Sequence, residues 1–244
     1  MRTRTLFDSS RSVLYAAALA ALLSGCGSGE PATLADASRA LTDGEVRDAV
    51  LANSDDDAKR YAMGVAQQTE NANLPAWRTT DQPCVPVTDT LGPGTLEAVR
   101  SAHTTVAPRD ASAFPTDLKL GTYDQDGARR AVERLSQAIG SCGPFDLTGP
   151  LSRHYRATVS KLPGGAGAAE ETRFAVDAKP VDSGYPLIRL EVYVVRTGSL
   201  VTTAVVQNPL SRRSMPMAAP GMTTDQVQKV LDLQKTKLTR PFER

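Results

Sequence analysis

The chain has 244 residues, 28 Lys+Arg and 27 Asp+Glu, a formal net charge of +1, and 3 cysteines. That balance argues against a nucleic-acid binder, which needs a basic face, and the length admits one domain or two small ones. Residues 1–25 hold three of the basic residues (Arg2, Arg4, Arg11) and one acid (Asp8), so the chain from Cys26 onward has 219 residues, 25 basic and 26 acidic, net −1.

Residues 1–25 read as a secretory signal. An arginine-bearing start precedes a twelve-residue apolar run, Ser12–Leu23, too short for the roughly 20 apolar residues of a membrane-spanning helix. Leu23-Ser24-Gly25-Cys26 then has the form of a bacterial lipobox. The expectation is cleavage before Cys26 and attachment of diacylglycerol to its thiol. Two or three acyl chains, at about 0.8 kcal/mol per buried CH₂, hold a protein firmly on a leaflet. The alternative is an ordinary signal peptide cut elsewhere, against which stands the lack of an A-x-A-like site. The abundance of alanine and of arginine over lysine hints at a GC-rich genome such as an actinobacterium's.

Residues 26–33 are small and turn-rich and are expected to be a flexible tether. The remainder, 34–244, is read as a single domain with a helical N-terminal part to about residue 70. Thr42-Asp43-Gly44-Glu45 has capping-box spacing, with Val46, Ala49 and Val50 on one face of the helix that follows. Asn53-Ser54-Asp55-Asp56-Asp57 suggests a second helix start, running from Ala58 to about Glu70; its three acids are read as a solvated helix end, not a metal site. From Asn71 to Thr116 the prolines at 75, 83, 86, 93, 108 and 115 predict a long irregular segment with one short helix over Gly94–Ala102. Cys84 and Cys142 are the even remainder after Cys26, so export predicts a disulfide between them; the alternative is two separate buried thiols. The bridge would close 58 residues, worth about 4 kcal/mol by loop entropy. Without a C-x-x-C the role is structural.

Leu118–Tyr123 alternates as a strand. Ala128, Ala131, Val132, Leu135, Ala138 and Ile139 then make one apolar stripe on a helix ending near Gly140, with Asp126 as its N-cap. Strands follow at His154–Leu162, Thr172–Ala178, Leu187–Val195 and Leu200–Gln207, the last two joined by a hairpin loop at Arg196–Ser199. Pro163–Gly167 is a flexible run, and Arg212–Met217 a surface loop whose methionines fold back onto the core. Thr223-x-x-Gln226 caps a last helix with Val227, Val230, Leu231 and Leu238 inside. The sum is an α+β domain with an antiparallel sheet of about four or five strands packed with helices.

Phe114–Gln207 resembles the PknH-type extracellular sensor domain family of actinobacterial receptors and lipoproteins. The resemblance rests on Tyr123-Asp124 ending a strand, an Ala/Leu-rich helix ending at Cys142 with Phe145 after it, and a strand leading to a Gly-rich turn. A V-x-x-V-R-x-G hairpin, Val192–Gly198, and Cys84-Val85-Pro86 upstream complete it. It implies an α+β domain with a groove that senses or binds something outside the cell. The kinase member's domain has two disulfides, whereas this chain can form one, and Gly164-Gly165 with an Ala-rich loop replaces the usual Gly-Asp. No ligand-binding residue is therefore carried over.

No catalytic residue, metal or cofactor is assigned. G-x-S-x-G, S-x-x-K and H-E-x-x-H are absent from the sequence. His103 and His154 are given no chemistry. Thr122-x-Asp124-x-Asp126-Gly127 with Glu133 overlays part of a calcium loop, but the helical stripe begins directly after Gly127. The expectation is a lipid-anchored, non-enzymatic sensor or regulator at the extracytoplasmic face of the cell membrane, modulating a membrane-bound envelope-stress kinase. The alternative is a carrier for a small molecule or lipid. Five phenylalanines, one tryptophan and six tyrosines make a large aromatic-lined cavity the weaker expectation.

Overall fold

The computed structural model describes residues 33–37, 39–68, 76–93, 95–109, 113–124, 126–163, 170–182, 186–210 and 220–240. The signal segment, Cys26, the tether up to Ala32, Gly164-Gly165 and Arg212–Met217 lie outside them. No helix among the described residues is long and apolar enough to cross a membrane.

In chain order the elements are α1 (Asp43–Ala49), β1 (Tyr61–Met63), β2 (Gln67–Gln68), α2 (Val85–Leu91), β3 (Arg100–Pro108), β4 (Thr116–Thr122) and α3 (Gly127–Ser141). Then come β5 (Phe145–Thr148), β6 (His154–Lys161), β7 (Glu171–Pro180), β8 (Leu187–Thr197), β9 (Leu200–Leu210) and α4 (Thr224–Thr239). The class is α+β, as expected. The sheet is larger than expected: nine antiparallel strands in the order β1-β3-β4-β9-β8-β7-β6-β5, with β2 also on β3. The strands added to the expected set, β1, β2, β3 and β5, lie toward its two edges.

The helices cover opposite halves of the two sheet faces. On one face α3 buries Ala128, Ala131, Val132, Leu135, Ala138 and Ile139 in a core with Val87 and Leu91 of α2. That core takes the inward residues of β5 to β9, among them Phe145, Tyr155, Phe174, Val176, Leu190 and Val192. On the other face Val227, Val230 and Leu231 of α4 pack with Val106, Leu118, Tyr193, Ala204 and Val206. Beside them α1 places Val46, Ala49 and Val50 with Ala102, Leu120 and Leu200. Each leucine or valine so buried contributes about 1.5–3 kcal/mol.

Polar side chains join the two helices of that second layer. Gln234 of α4 is fully buried; its Nε2 donates to Ala49 O (2.8 Å) and its Oε1 accepts from Leu51 N (2.9 Å). Lys237 Nζ donates to Val50 O at 2.7 Å. α4 thus satisfies backbone groups at the C-terminal end of α1, which a helix leaves without partners of its own. Both expected capping boxes form, Thr42 with Glu45 and Thr223 with Gln226. The β8–β9 hairpin closes through Gly198, at φ +60, where an added Cβ would fall 1.9 Å from Ala35 O.

Two local expectations are corrected, and a third holds in position only. The helix expected from Ala58 to about Glu70 does not form over the described residues 58–68. A 3₁₀ turn at Asp56–Ala58 leads into β1, where Tyr61 and Met63 are buried and Ala62 is exposed. The Asn53 side chain brackets Met63, donating to its O (2.7 Å) and accepting from its N (3.0 Å). Gly64 N donates to Thr105 O at 2.9 Å. These tertiary bonds override a weak helical preference. The segment 71–116 is not irregular throughout and holds no helix at Gly94–Ala102, since β3 occupies Arg100–Pro108. Its alternation is masked because Ala102, His103 and Thr104 are all buried in succession. Asp126 occupies the N-cap of α3 without a side-chain cap bond, and Asp124 O takes the Gly127 N–H instead (2.8 Å).

Cys84 and Cys142 are bonded, Cα to Cα 5.0 Å, linking the residue before α2 to the residue after α3. Reduction, or Cys142→Ser, is expected to cost about 2–5 kcal/mol. Thermal unfolding with and without reductant measures it, and an unchanged Tm would contradict the structural role.

Candidate functional site

A cleft of about 480 Å³ opens along the outer face of α3. One wall is Gly127, Arg130, Glu133, Arg134 and Gln137; the other is Glu97 and Val99 ahead of β3; Tyr123 and Asp124, at the end of β4, lie between. A side pocket of about 50 Å³ shares Glu97 and Arg134 and is closed by Val85, Pro86, Asp89, Leu96 and Ala131. A cleft of this size falls in the range of small-molecule sites, about 300–1,000 Å³.

The Glu97 wall is built at a conformational cost. Leu96 (φ 53) and Glu97 (φ 60) are consecutive non-glycine residues in the left-handed region, each worth about 1–2 kcal/mol of strain. Several contacts hold them there. Leu96 is buried in the α2/α3 core. Tyr123 Oη donates to Thr95 O, Ala98 N to Thr95 O (3.1 Å), and Val99 N to Thr122 O (2.9 Å). Gly121 lets this segment approach β4, since a Cβ there would meet Ala98 Cβ at 3.0 Å. The result turns Glu97 across to Arg134, Nη1 to Oε2 2.7 Å. That pair is exposed and adds about 0–1 kcal/mol, so the wall is held by backbone and burial, not by the ion pair. Strained residues of this kind concentrate at binding sites.

Charge in the cleft is mostly spent internally. Glu97 is paired with Arg134, Glu133 with Arg129 (2.8 Å), and Asp124 Oδ1 accepts from Ala40 N (3.0 Å). Arg130 lines the cleft, and its side chain has no ion pair or hydrogen bond among the described residues. It is therefore the cation free to meet an anionic group. Burial drives the Tyr123 phenol well above its usual range, so it stays a neutral donor. Burial, with Glu97 adding to it, raises the Asp89 carboxyl. The lining contains no serine, cysteine or histidine. Its side chains can bind, orient and pair with charge.

The histidines lie elsewhere. His103 sits on β3, nearly buried, with Nε2 3.3 Å from Asp117 Oδ1 on β4. His154 starts β6 and is exposed. The structure does not bring them together. Asp124 and Glu133 line the cleft while Asp126 pairs with Arg129 at 3.6 Å, and no three metal-capable side chains group among the described residues. Cys26 is outside the described residues.

Sequence reasoning passed over Glu97, Arg130, Arg134 and Lys119. For the arginines a signal existed, because they recur on the polar side of the α3 stripe. For Lys119 it did not, since an alternating strand makes a lysine read as outward. Instead its side chain is fully buried under α2, and Nζ donates to Thr90 O (2.7 Å) and Gly92 O (2.6 Å). It caps the C-terminal end of α2, where a cation meets the negative end of the helix dipole, and so fixes the start of the segment that becomes the cleft wall.

No protein-family model and no curated protein matches the chain. Among solved structures it is similar to the crystal structure of the extracellular domain of PknH from Mycobacterium tuberculosis. The match has a TM-score of 0.53 and 10% identity, covering 83% of this chain and 98% of that one. The likeness is one of fold, and it supports the PknH-type resemblance seen in the sequence.

Burial lowers the Lys119 pKa to about 7, with Asp117 and Asp89 opposing the fall. Free lysine titrates near 10.4. Between those values the unfolded chain binds the proton that the folded chain has lost, so this group makes stability rise with pH from about 7 to about 10.4. Lys119→Met is expected to flatten that rise. Urea unfolding at pH 7 and pH 9.5 checks it, and identical pH slopes for both proteins would contradict it.

Proposed function

We propose that this chain is a lipid-anchored extracytoplasmic protein that acts as a non-enzymatic sensor or regulator at the cell envelope. In this reading Cys26 carries the lipid. The α3 cleft binds a small polar ligand, with its anionic group on Arg130. The output passes to a membrane-bound signalling protein, the candidate being an envelope-stress kinase. The observation that carries the reading is the cleft wall itself. A domain with the fold of an extracellular PknH domain holds two strained non-glycine residues, Leu96 and Glu97, at the edge of a cavity. The lining is charged and has no aromatic box, which favours a small polar ligand over an acyl chain and sets the carrier-of-lipid reading second.

A tether also explains how a weak contact suffices. Confinement to a leaflet raises the effective concentration of a membrane-bound partner, and avidity can exceed affinity by about 10²–10⁴.

Complementation of a deletion strain, read by an envelope-stress reporter, tests both halves. Cys26→Ala is expected to behave as the deletion and to lose labelling by a fatty-acid probe. Arg130→Ala is expected to retain labelling and fold but to shift the reporter's response by about tenfold in ligand concentration. Full complementation by an unlabelled Cys26→Ala protein would refute the tether. A wild-type response from Arg130→Ala would refute the cleft. Loss of activity on His103→Ala or His154→Ala, in a folded protein, would point to catalysis instead.

A further inference from the structure

A second groove lies on the opposite sheet face, where the outer side of α4 meets the approach to β1. It has a volume of about 570 Å³ and is lined by Asp57, Arg60, Tyr61, Lys229, Asp232, Leu233 and Thr236. On α4, Lys229 and Leu233, and Asp232 and Thr236, are four residues apart and therefore share one flank of the helix. Arg60 and Tyr61 come from the other side, ahead of and in the edge strand.

The charges around this groove are unevenly satisfied. Lys59 pairs with Asp56 (2.9 Å), Lys237 with Asp55 (2.9 Å), Arg240 with Asp57, and Arg109 Nη2 donates to Asn53 Oδ1 (3.2 Å). Asp232 accepts from Gln228 Nε2 at 2.9 Å. Every one of these side chains has a partner. Arg60 and Lys229, both exposed, have none among the described residues, and they are the two cations that line the groove. Asp57 contributes little net field because Arg240 covers it. The groove therefore holds two cations on facing elements that make no ion pair among the described residues, a wall of Tyr61 and Leu233, and acceptors at Thr236 and at Asp232, whose carboxylate charge the Gln228 amide does not neutralise.

We propose that this groove is a binding site for a phosphate ester. The phosphate lies between Arg60 and Lys229, Arg60 supplying a two-pronged donor and Lys229 a point charge. The organic part lies along Tyr61 and Leu233, its hydroxyls on Asp232 and Thr236. The volume exceeds what a bare phosphate fills, which is why the ligand carries an organic group. The same chemistry belongs to a soluble phosphorylated metabolite and to a phospholipid headgroup. The groove's place favours neither by itself, although Ala35, near where the described chain begins, is bonded to the last turn of α4 through Leu238 O (3.2 Å). The site is independent of the α3 cleft.

The full chain, purified in a neutral detergent, is titrated with glycerol 3-phosphate. In a second arm it is titrated with bicelles of phosphatidylcholine with or without phosphatidylglycerol. Amide shifts are followed by NMR. The expected result is saturable shifts confined to residues 57–61 and 229–236 in at least one arm, weakened at least about tenfold in Arg60→Gln/Lys229→Gln. Both substitutions are on the surface and leave the core intact. A response to glycerol 3-phosphate identifies a soluble ligand, and a response only to phosphatidylglycerol a headgroup. No saturable shift in either arm, or shifts that survive the double substitution, would overturn the proposal.

Discussion

Two faces of a nine-stranded sheet have to be kept from water, and here four helices do it in offset pairs. The pair α2 and α3 covers β5 to β9 on one face, while α1 and α4 cover the strands from β3 to β8 on the other. Each pair leaves half of its face to polar residues. On the α3 side the half away from α3 carries Asp117 and His103, the latter itself nearly buried. On the α4 side Arg189 lies between Asp177 (3.0 Å) and Glu191 (3.2 Å). Antiparallel sheets tolerate a face of this kind because outward residues alternate with buried ones. The offset also decides where concavities form. Both concavities lie along the flank of a helix, the α3 cleft beside Arg130, Arg134 and Gln137 and the α4 groove beside Lys229, Leu233 and Thr236.

The loop from Gly92 to Val99 depends on that arrangement most directly. It leaves α2, whose start is tied to α3 by the Cys84–Cys142 bond. The Thr90 carbonyl in the last turn of α2 and the loop's own Gly92 carbonyl are held by Lys119, which reaches up from β4. Its middle is pinned by a tyrosine hydroxyl at the other end of the same strand. Between these fixed points Leu96 and Glu97 take the left-handed conformation. Strain of about 1–2 kcal/mol per residue is small against the burial of Leu96 and the surrounding bonds, so the loop persists as a shaped wall.

Much of this was legible in the chain, for reasons that differ by element. α3 and α4 were clear because their apolar residues recur at helical spacing over four turns, and α4 carries a capping box. β6 to β9 were clear because β-branched residues alternate between turn signals. β3 was not, because small and polar residues fill both of its faces under α1 and beside Asp117, which erases the period-two pattern. β1 and β2 were read as helix since five residues of strand carry too little pattern to outweigh local propensity. Their pairing comes from Asn53 and β3, partners distant in sequence. The α3 cleft was legible only as a row of arginines. Leu96 and Glu97 give no sign of a left-handed backbone, because nothing local demands it and only the closure of the loop does.

The distribution of charge explains how a chain so near neutrality can still recognise charged partners. Its surface ions are largely paired with each other, as at Arg39–Glu45, Arg129–Glu133 and Arg156–Asp146. Such pairs add little stability when exposed, but they cancel each other's field beyond about a Debye length of 8–10 Å. Long-range steering by net charge is therefore weak. What remains is local: of the cations without a side-chain partner among the described residues, Arg130 lines the α3 cleft, and Arg60 and Lys229 line the α4 groove. A cation that makes no ion pair of its own gains more from an incoming anion than a paired residue does. Recognition on this domain is then a matter of which charges the fold leaves unpaired beside a concavity, and Arg130, Arg60 and Lys229 stand in two such hollows, each large enough to hold a ligand.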